Sequence, residues 1–116
     1  MTSVRQTLEA FALSLPGAFR DTPWEDDAVA KVGKKIFVFL GSEESAKISV
    51  KLPHSADHAL TTPGAVPTAY GLGRHGWVTV PIDTDGAPVD LLVDWIEESY
   101  RTIAAKALVA ELDARP

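Results

Sequence analysis

The stretch that decides the fold is Ala28-Val29-Ala30-Lys31-Val32-Gly33-Lys34-Lys35-Ile36-Phe37-Val38-Phe39-Leu40, resuming after a polar break as Lys47-Ile48-Ser49-Val50-Lys51-Leu52. Ala28, Ala30 and Val32 alternate with Val29 and Lys31, and Gly33-Lys34 supplies a turn. Residues 27–40 therefore read as a hairpin. Residues 36–40 are an unbroken apolar run, as expected of a central strand covered on both faces. Gly41-Ser42-Glu43-Glu44-Ser45 reads as a second turn. Beyond it Ile48, Val50 and Leu52 alternate with Lys47, Ser49 and Lys51, so one face meets the core and the other meets water. Three strands joined by short turns make an antiparallel meander.

The flanks read as follows. Val4, Leu8, Phe11 and Leu15 recur at helical spacing, which predicts a helix over residues 3–15. Thr2 or Ser3 can cap it, and Pro16-Gly17 stops it. Residues 18–26 read as an acidic loop pinned by a buried Trp24. Asp21, Glu25, Asp26 and Asp27 lack the alternation and turn glycine of a calcium loop. After the meander, Pro53 ends the third strand and Ser55 can cap a short helix to about Leu60. His54 and His58 stand four apart, but His54 precedes that cap and no Glu lies between them, so zinc is not the reading. Residues 77–82 read as a further strand, with Pro81 at a strand end or sheet edge. Asp83-Thr84-Asp85-Gly86 reads as a turn. A long helix is expected from about Pro88 to Leu112, with Leu92, Trp95 or Ile96, Ser99 and Ile103 on its inner face. Glu97-Glu98 should lie on its solvated face.

The chain has 116 residues, 46% of them hydrophobic, and no cysteine. That is one domain with enough apolar surface to fold unstapled, and it rules out disulfides and thiolate chemistry. Without an apolar signal core or an 18-residue apolar run, the expectation is a cytoplasmic protein away from membranes. The net charge is −5, unevenly spread. Residues 31–54 carry five lysines against Glu43 and Glu44, a basic island between acidic ends. The total disfavours non-specific attraction to nucleic acid, so only a local patch could offset it.

The stretch Tyr70-Gly71-Leu72-Gly73-Arg74-His75-Gly76-Trp77 matches the G-x-G-x-x-G pattern in letters. In a dinucleotide fold the pattern follows a strand and opens a helix, whereas here it follows a Pro-rich loop and opens a strand. Gly71, Gly73 and Gly76 therefore read as positions of positive φ or close approach. No nucleophile, base or metal set stands out, so the expectation is a non-enzymatic protein without a cofactor. Two binding readings remain. In the first, Lys34, Lys35, Lys47, Lys51 and Arg74 contact DNA phosphates beside His75, with Trp77 stacking or wedging. In the second, the Tyr70–Trp77 loop lines a groove for a protein partner, a small ligand or a small anion.

Several segments together resemble the MmcQ/YjbR-like family of small bacterial proteins. They are Leu15-Pro16-Gly17, Lys31-Val32-Gly33-Lys34-Lys35-Ile36-Phe37, Ile48-Ser49-Val50-Lys51, Tyr70-Gly71-Leu72, Gly76-Trp77-Val78-Thr79-Val80 and residues 91–100. The resemblance implies an α+β fold: a single antiparallel sheet carrying an N-terminal helix, a short middle helix and a long C-terminal helix, as in CyaY/frataxin-like proteins. It also implies DNA binding through a double-wing motif, the function with which that family is commonly labelled.

Overall fold

The computed structural model describes residues 3–24, 27–42, 46–82 and 86–115. Helix α1 (Val4–Leu13) opens at Ser3 with a reciprocal cap. The Ser3 hydroxyl accepts from the Gln6 N–H at 3.1 Å, and the Gln6 side chain accepts from the Ser3 N–H at 3.0 Å. Strands β1 (Ala18–Trp24), β2 (Asp27–Val32), β3 (Lys35–Gly41) and β4 (Lys47–Lys51) follow. Then come α2 (Ala56–Ala59), the two-residue β5 (Val66–Pro67), a 3₁₀ turn (Leu72–His75), β6 (Trp77–Pro81), α3 (Val89–Ile103) and α4 (Lys106–Asp113). The six strands form one antiparallel sheet in the order β1-β2-β3-β4-β6-β5. Leu8 and Ala12 of α1 and Leu92, Trp95, Ile96 and Tyr100 of α3 share one core with Ala30, Val38, Val50 and Val78 of the sheet. All helix packing is thus on one sheet face, which is the expected α+β architecture.

The covering of residues 36–40 on both faces, expected from their apolar run, is not what the strand has: Ile36 and Phe39 are only half-buried, and the run reflects a bulge. In β3, Ile36 pairs with Lys31 and Val38 pairs with Ala30, so Phe37 is an extra residue opposite β2. Such a bulge puts two successive side chains on one face. Phe37 and Val38 are both fully buried, and the Phe37 ring meets Tyr100 edge-on at 5.3 Å. Between β3 and β4 the register pairs among the described residues are Val38↔Val50 and Phe39↔Ser49, which leaves a gap beside Phe37. Ser99 of α3 closes that gap: its hydroxyl accepts from the Lys51 N–H at 2.9 Å and donates to the Phe37 carbonyl. The neighbouring Tyr100 hydroxyl donates to the Pro16 carbonyl at 2.7 Å, tying α3 to the end of α1. Burial, with Glu111 adding to it, pushes the Tyr100 phenol above its ordinary pKa. At the far end of β3, buried Arg5 donates to the carbonyls of Leu40 and Gly41.

Three expectations are corrected. Residues 18–24 are an edge strand, not a loop, with Ala18 opposite Val32 and Asp21 opposite Val29. Arg20, Thr22 and Pro23 are exposed on it, the polar character that keeps an edge from pairing with another chain. The C-terminal helix is two helices. A single helix over residues 88–112 would run about 37 Å, beyond the molecule's longest extent of 35 Å. The chain instead takes extended geometry at Ala104 and Ala105, and α4 folds back. Leu108 then lies against Gly17, where an added Cβ would sit 3.1 Å from a Leu108 methyl. Arg101 holds Asp113 at 2.7 Å, and Arg115 donates to the Ser14 carbonyl. Finally, Glu98 is not merely solvated: it accepts from the N–H groups of His54 and Ser55 and from the Ser55 hydroxyl. Ser55 therefore spends its side chain on Glu98 rather than capping α2. Thr2, Glu25, Asp26, the Trp24 side chain and the turn residues 43–45 and 83–85 lie outside the described residues.

Two outcomes follow. Ser99→Ala strands the buried Phe37 carbonyl and the Lys51 N–H, and should lower unfolding free energy by about 2 kcal/mol in urea denaturation. Hydrogen bonding to Arg101 holds the Asp113 carboxyl below the usual carboxylate range. The contribution of that pair is complete above the unfolded-state value and is lost as pH falls through the lower folded value. Amide exchange in α4 should therefore quicken only below about pH 4, and Asp113→Asn should remove that acid-dependent step.

Candidate functional site

In an antiparallel pair, residues directly opposite share a face. Phe39, Ser49 and Thr79 lie in one such row across β3, β4 and β6, and Lys51 stands opposite Trp77 in a parallel row. Both rows are on the face that no helix covers. Lys51 and Trp77 therefore share a face. The Trp77 ring, however, is only 8% exposed and packs edge-on against Phe39 at 5.3 Å. Little of it is open to a stacked base.

The cations do not form one patch. Lys51 and Lys47 are four residues apart on β4, a separation of about 13 Å. Lys35 stands opposite the core residue Val32, so it projects on the helix-bearing side. Lys34 is exposed in the β2–β3 turn, and Arg74 and His75 are exposed on the 3₁₀ turn. The Arg74 guanidinium folds back over Gly71, within 3.3 Å of where a Cβ would be. The basic island of the sequence is thus spread over both faces and both ends of the sheet.

What the helix-free face does hold is a recess of about 800 Å³, lined by Phe39, Ser49 and Thr79 on its floor and by Thr68, Tyr70 and Leu72 on one wall. Asp27, Ala28 and Gly41 close the other end, and Ala69 completes the wall. Three hydroxyls run from the floor to the wall: Ser49 Oγ lies 2.7 Å from Thr79 Oγ1, which lies 3.0 Å from Thr68 Oγ1. The wall is fixed by backbone. Thr68 N–H donates to the Trp77 carbonyl, and Gly73 N–H donates to the Thr68 carbonyl. Gly73 is needed by close approach, since a Cβ there would fall 2.6 Å from Pro67 Cβ. Gly71 and Gly76 both have positive φ and bracket the 3₁₀ turn. The G-x-G-x-x-G letters therefore build a wall.

Tyr70 is the unusual member. It is 99% exposed, and its φ of +62° is the one left-handed value on a residue other than glycine among the described residues. The Leu72 N–H donates to the Ala69 carbonyl, so Tyr70-Gly71 form the centre of a tight turn with both φ positive. Such a backbone favours glycine or asparagine, and a tyrosine there costs about 1 kcal/mol. Of the groove residues, the sequence marked Tyr70 and its glycines. It missed Phe39, Thr68 and Asp27, and marked Thr79 only by its place on the same strand face as Trp77. Their signal was slight: small hydroxyl residues at outward strand positions beside aromatics.

Because its backbone strain is local and its side chain buries nothing, Tyr70→Gly should leave stability unchanged or raise it by about 1 kcal/mol, measured as a shift in urea midpoint. A loss of stability would show that the ring supports the fold.

The crystal structure of Deinococcus radiodurans protein DR2400, which carries a DUF419 domain, superposes with a TM-score of 0.75. The match covers 99% of this chain and 94% of that one at 21% identity, a likeness of fold. No curated protein matches the sequence. The family model described as YjbR matches residues 13–102, from the end of α1 to the last turn of α3 and including the whole groove. The chain belongs to the YjbR family.

Proposed function

We propose that this protein is a non-enzymatic binding domain that takes a small molecule in the groove on its helix-free sheet face. The observation that carries this reading is a recess of about 800 Å³ with a fully exposed aromatic residue held at its lip in a costly conformation. Small-ligand sites commonly enclose about 300–1,000 Å³ and combine an apolar lining with a few fixed polar groups. Phe39, Ala69, Tyr70 and Leu72 supply the first, and the three hydroxyls supply the second. The lining carries one carboxylate, Asp27, and no histidine, lysine or arginine among the described residues, so no acid–base pair faces a bound molecule. The same fact weighs against a small anion in the groove.

DNA is the second reading. It is supported by Lys34, Lys35, Lys47, Lys51, Arg74 and His75, whose side chains form no ion pair among the described residues. Their spread over two faces and the burial of Trp77 leave the groove as the stronger site.

The test is a saturation-transfer NMR screen of neutral ring fragments, set beside fluorescence anisotropy of labelled duplex DNA. Fragment binding should be lost in Ala69→Arg, which fills the groove, and kept in Lys47→Glu/Lys51→Glu/Arg74→Glu. DNA should show no steeply salt-dependent binding. Fragments indifferent to Ala69→Arg, together with DNA binding that falls steeply with salt and vanishes in the triple-charge variant, would reverse the order of the two readings.

A further inference from the structure

Resting on the groove reading above, we infer that the ligand is a neutral, planar molecule recognised through one hydrogen-bond acceptor, such as a carbonyl or ether oxygen, by the Ser49–Thr79–Thr68 hydroxyl chain. Each hydroxyl has one proton to donate and two lone pairs to accept. The chain contains two internal hydrogen bonds, with Thr79 Oγ1 in both. Two of the three protons are spent on those bonds, whichever way the chain is oriented. Among the described residues no other partner takes the third. One proton is therefore left to offer to whatever lies on the floor. Reversing the chain moves that proton from the Thr68 end to the Ser49 end, so the row can meet an acceptor at either position without moving a backbone atom.

The other lining groups set the rest of the ligand. Phe39 on the floor and Ala69 and Leu72 on the wall give the recess an apolar side, suited to a ring. Charge is selected against at one end. A carboxylate ligand would bring a second negative group beside Asp27, and the nearest basic residues by sequence, Lys47, Lys51 and Arg74, do not line the recess. A purely apolar ligand would cover the hydroxyls and leave the third proton unpaired, which binding sites penalise.

The experiment is a titration of the ¹⁵N-labelled protein with three probes of nearly equal shape. Acetophenone presents a carbonyl, α-methylstyrene replaces that oxygen with a methylene group, and benzoate adds a negative charge. Amide shifts should centre on Ser49, Thr68 and Thr79. Acetophenone should bind about fivefold more tightly than α-methylstyrene, the factor expected of one hydrogen bond, and benzoate should be weakest. In the Ser49→Ala/Thr68→Val/Thr79→Val variant, the two neutral probes should come within about twofold of each other. Equal wild-type affinities for the neutral probes, with shifts still in the groove, would overturn the acceptor inference and leave the groove reading standing. Tightest binding by benzoate would also overturn it. Shifts elsewhere, or none, would overturn both. The wild-type comparison decides the matter even if the triple variant does not fold.

Discussion

The hydrogen-bonding of one hydroxyl, that of Ser99, holds the two layers of this protein in register. Where the β3 bulge at Phe37 leaves a carbonyl and the end of β4 leaves an N–H, Ser99 bridges both from α3. Buried backbone groups without partners cost about 1–3 kcal/mol each, so a bulge in the middle of a core strand is tolerated only if something from outside the sheet satisfies it. The neighbouring Tyr100 packs on the bulged Phe37 ring and reaches Pro16, so the same turn of α3 secures the sheet and the end of α1. A helix turn carrying a small hydroxyl residue followed by a tyrosine is thus the point at which sheet irregularity and helix docking become one constraint.

That irregularity also shapes the opposite face. A strand without the extra residue would change which side each later residue meets. With Phe37 inserted, Val38 and Leu40 go to the core and Phe39 is left on the helix-free side, in line with Ser49 and Thr79. The groove floor is the far side of the core register. Its wall is built from the three glycines and capped by Tyr70. In a protein of this size, where stability is a small difference between large terms, a fully exposed tyrosine on a left-handed backbone is a cost the fold does not require, and the proposed groove reading is what gives it a purpose.

Much of this was legible in the sequence. The alternation of Ile48, Val50 and Leu52 with Lys47, Ser49 and Lys51 gave the facing of β4, and the glycine spacing gave the loop's conformational demands. The edge strand β1 was hidden because its exposed residues break the apolar alternation: Arg20, Thr22 and Pro23 read as loop. The break between α3 and α4 was hidden because no proline or glycine marks Ala104-Ala105. It is set by tertiary contacts among Leu108, Gly17, Arg101 and Asp113. The groove was half legible. Tyr70 and its glycines stand out in one dimension, but the floor joins residues from three strands through a register that depends on the Phe37 bulge. The lysine cluster misled for the same reason: neighbours in sequence, Lys34, Lys35, Lys47 and Lys51, separate once the hairpin and strands assign them to different faces and ends.

The central claim is that the helix-free face is a binding face whose contact row is Phe39, Ser49 and Thr79. The most direct test is an isotope-filtered NOE experiment on the ¹³C-labelled protein with unlabelled acetophenone, read for intermolecular contacts. Cross-peaks are expected from the ligand ring to the Phe39 ring protons and the Thr79 methyl group. Cross-peaks confined to the side chains of Lys51, Arg74 or His75, or to the helix-bearing side, would contradict it.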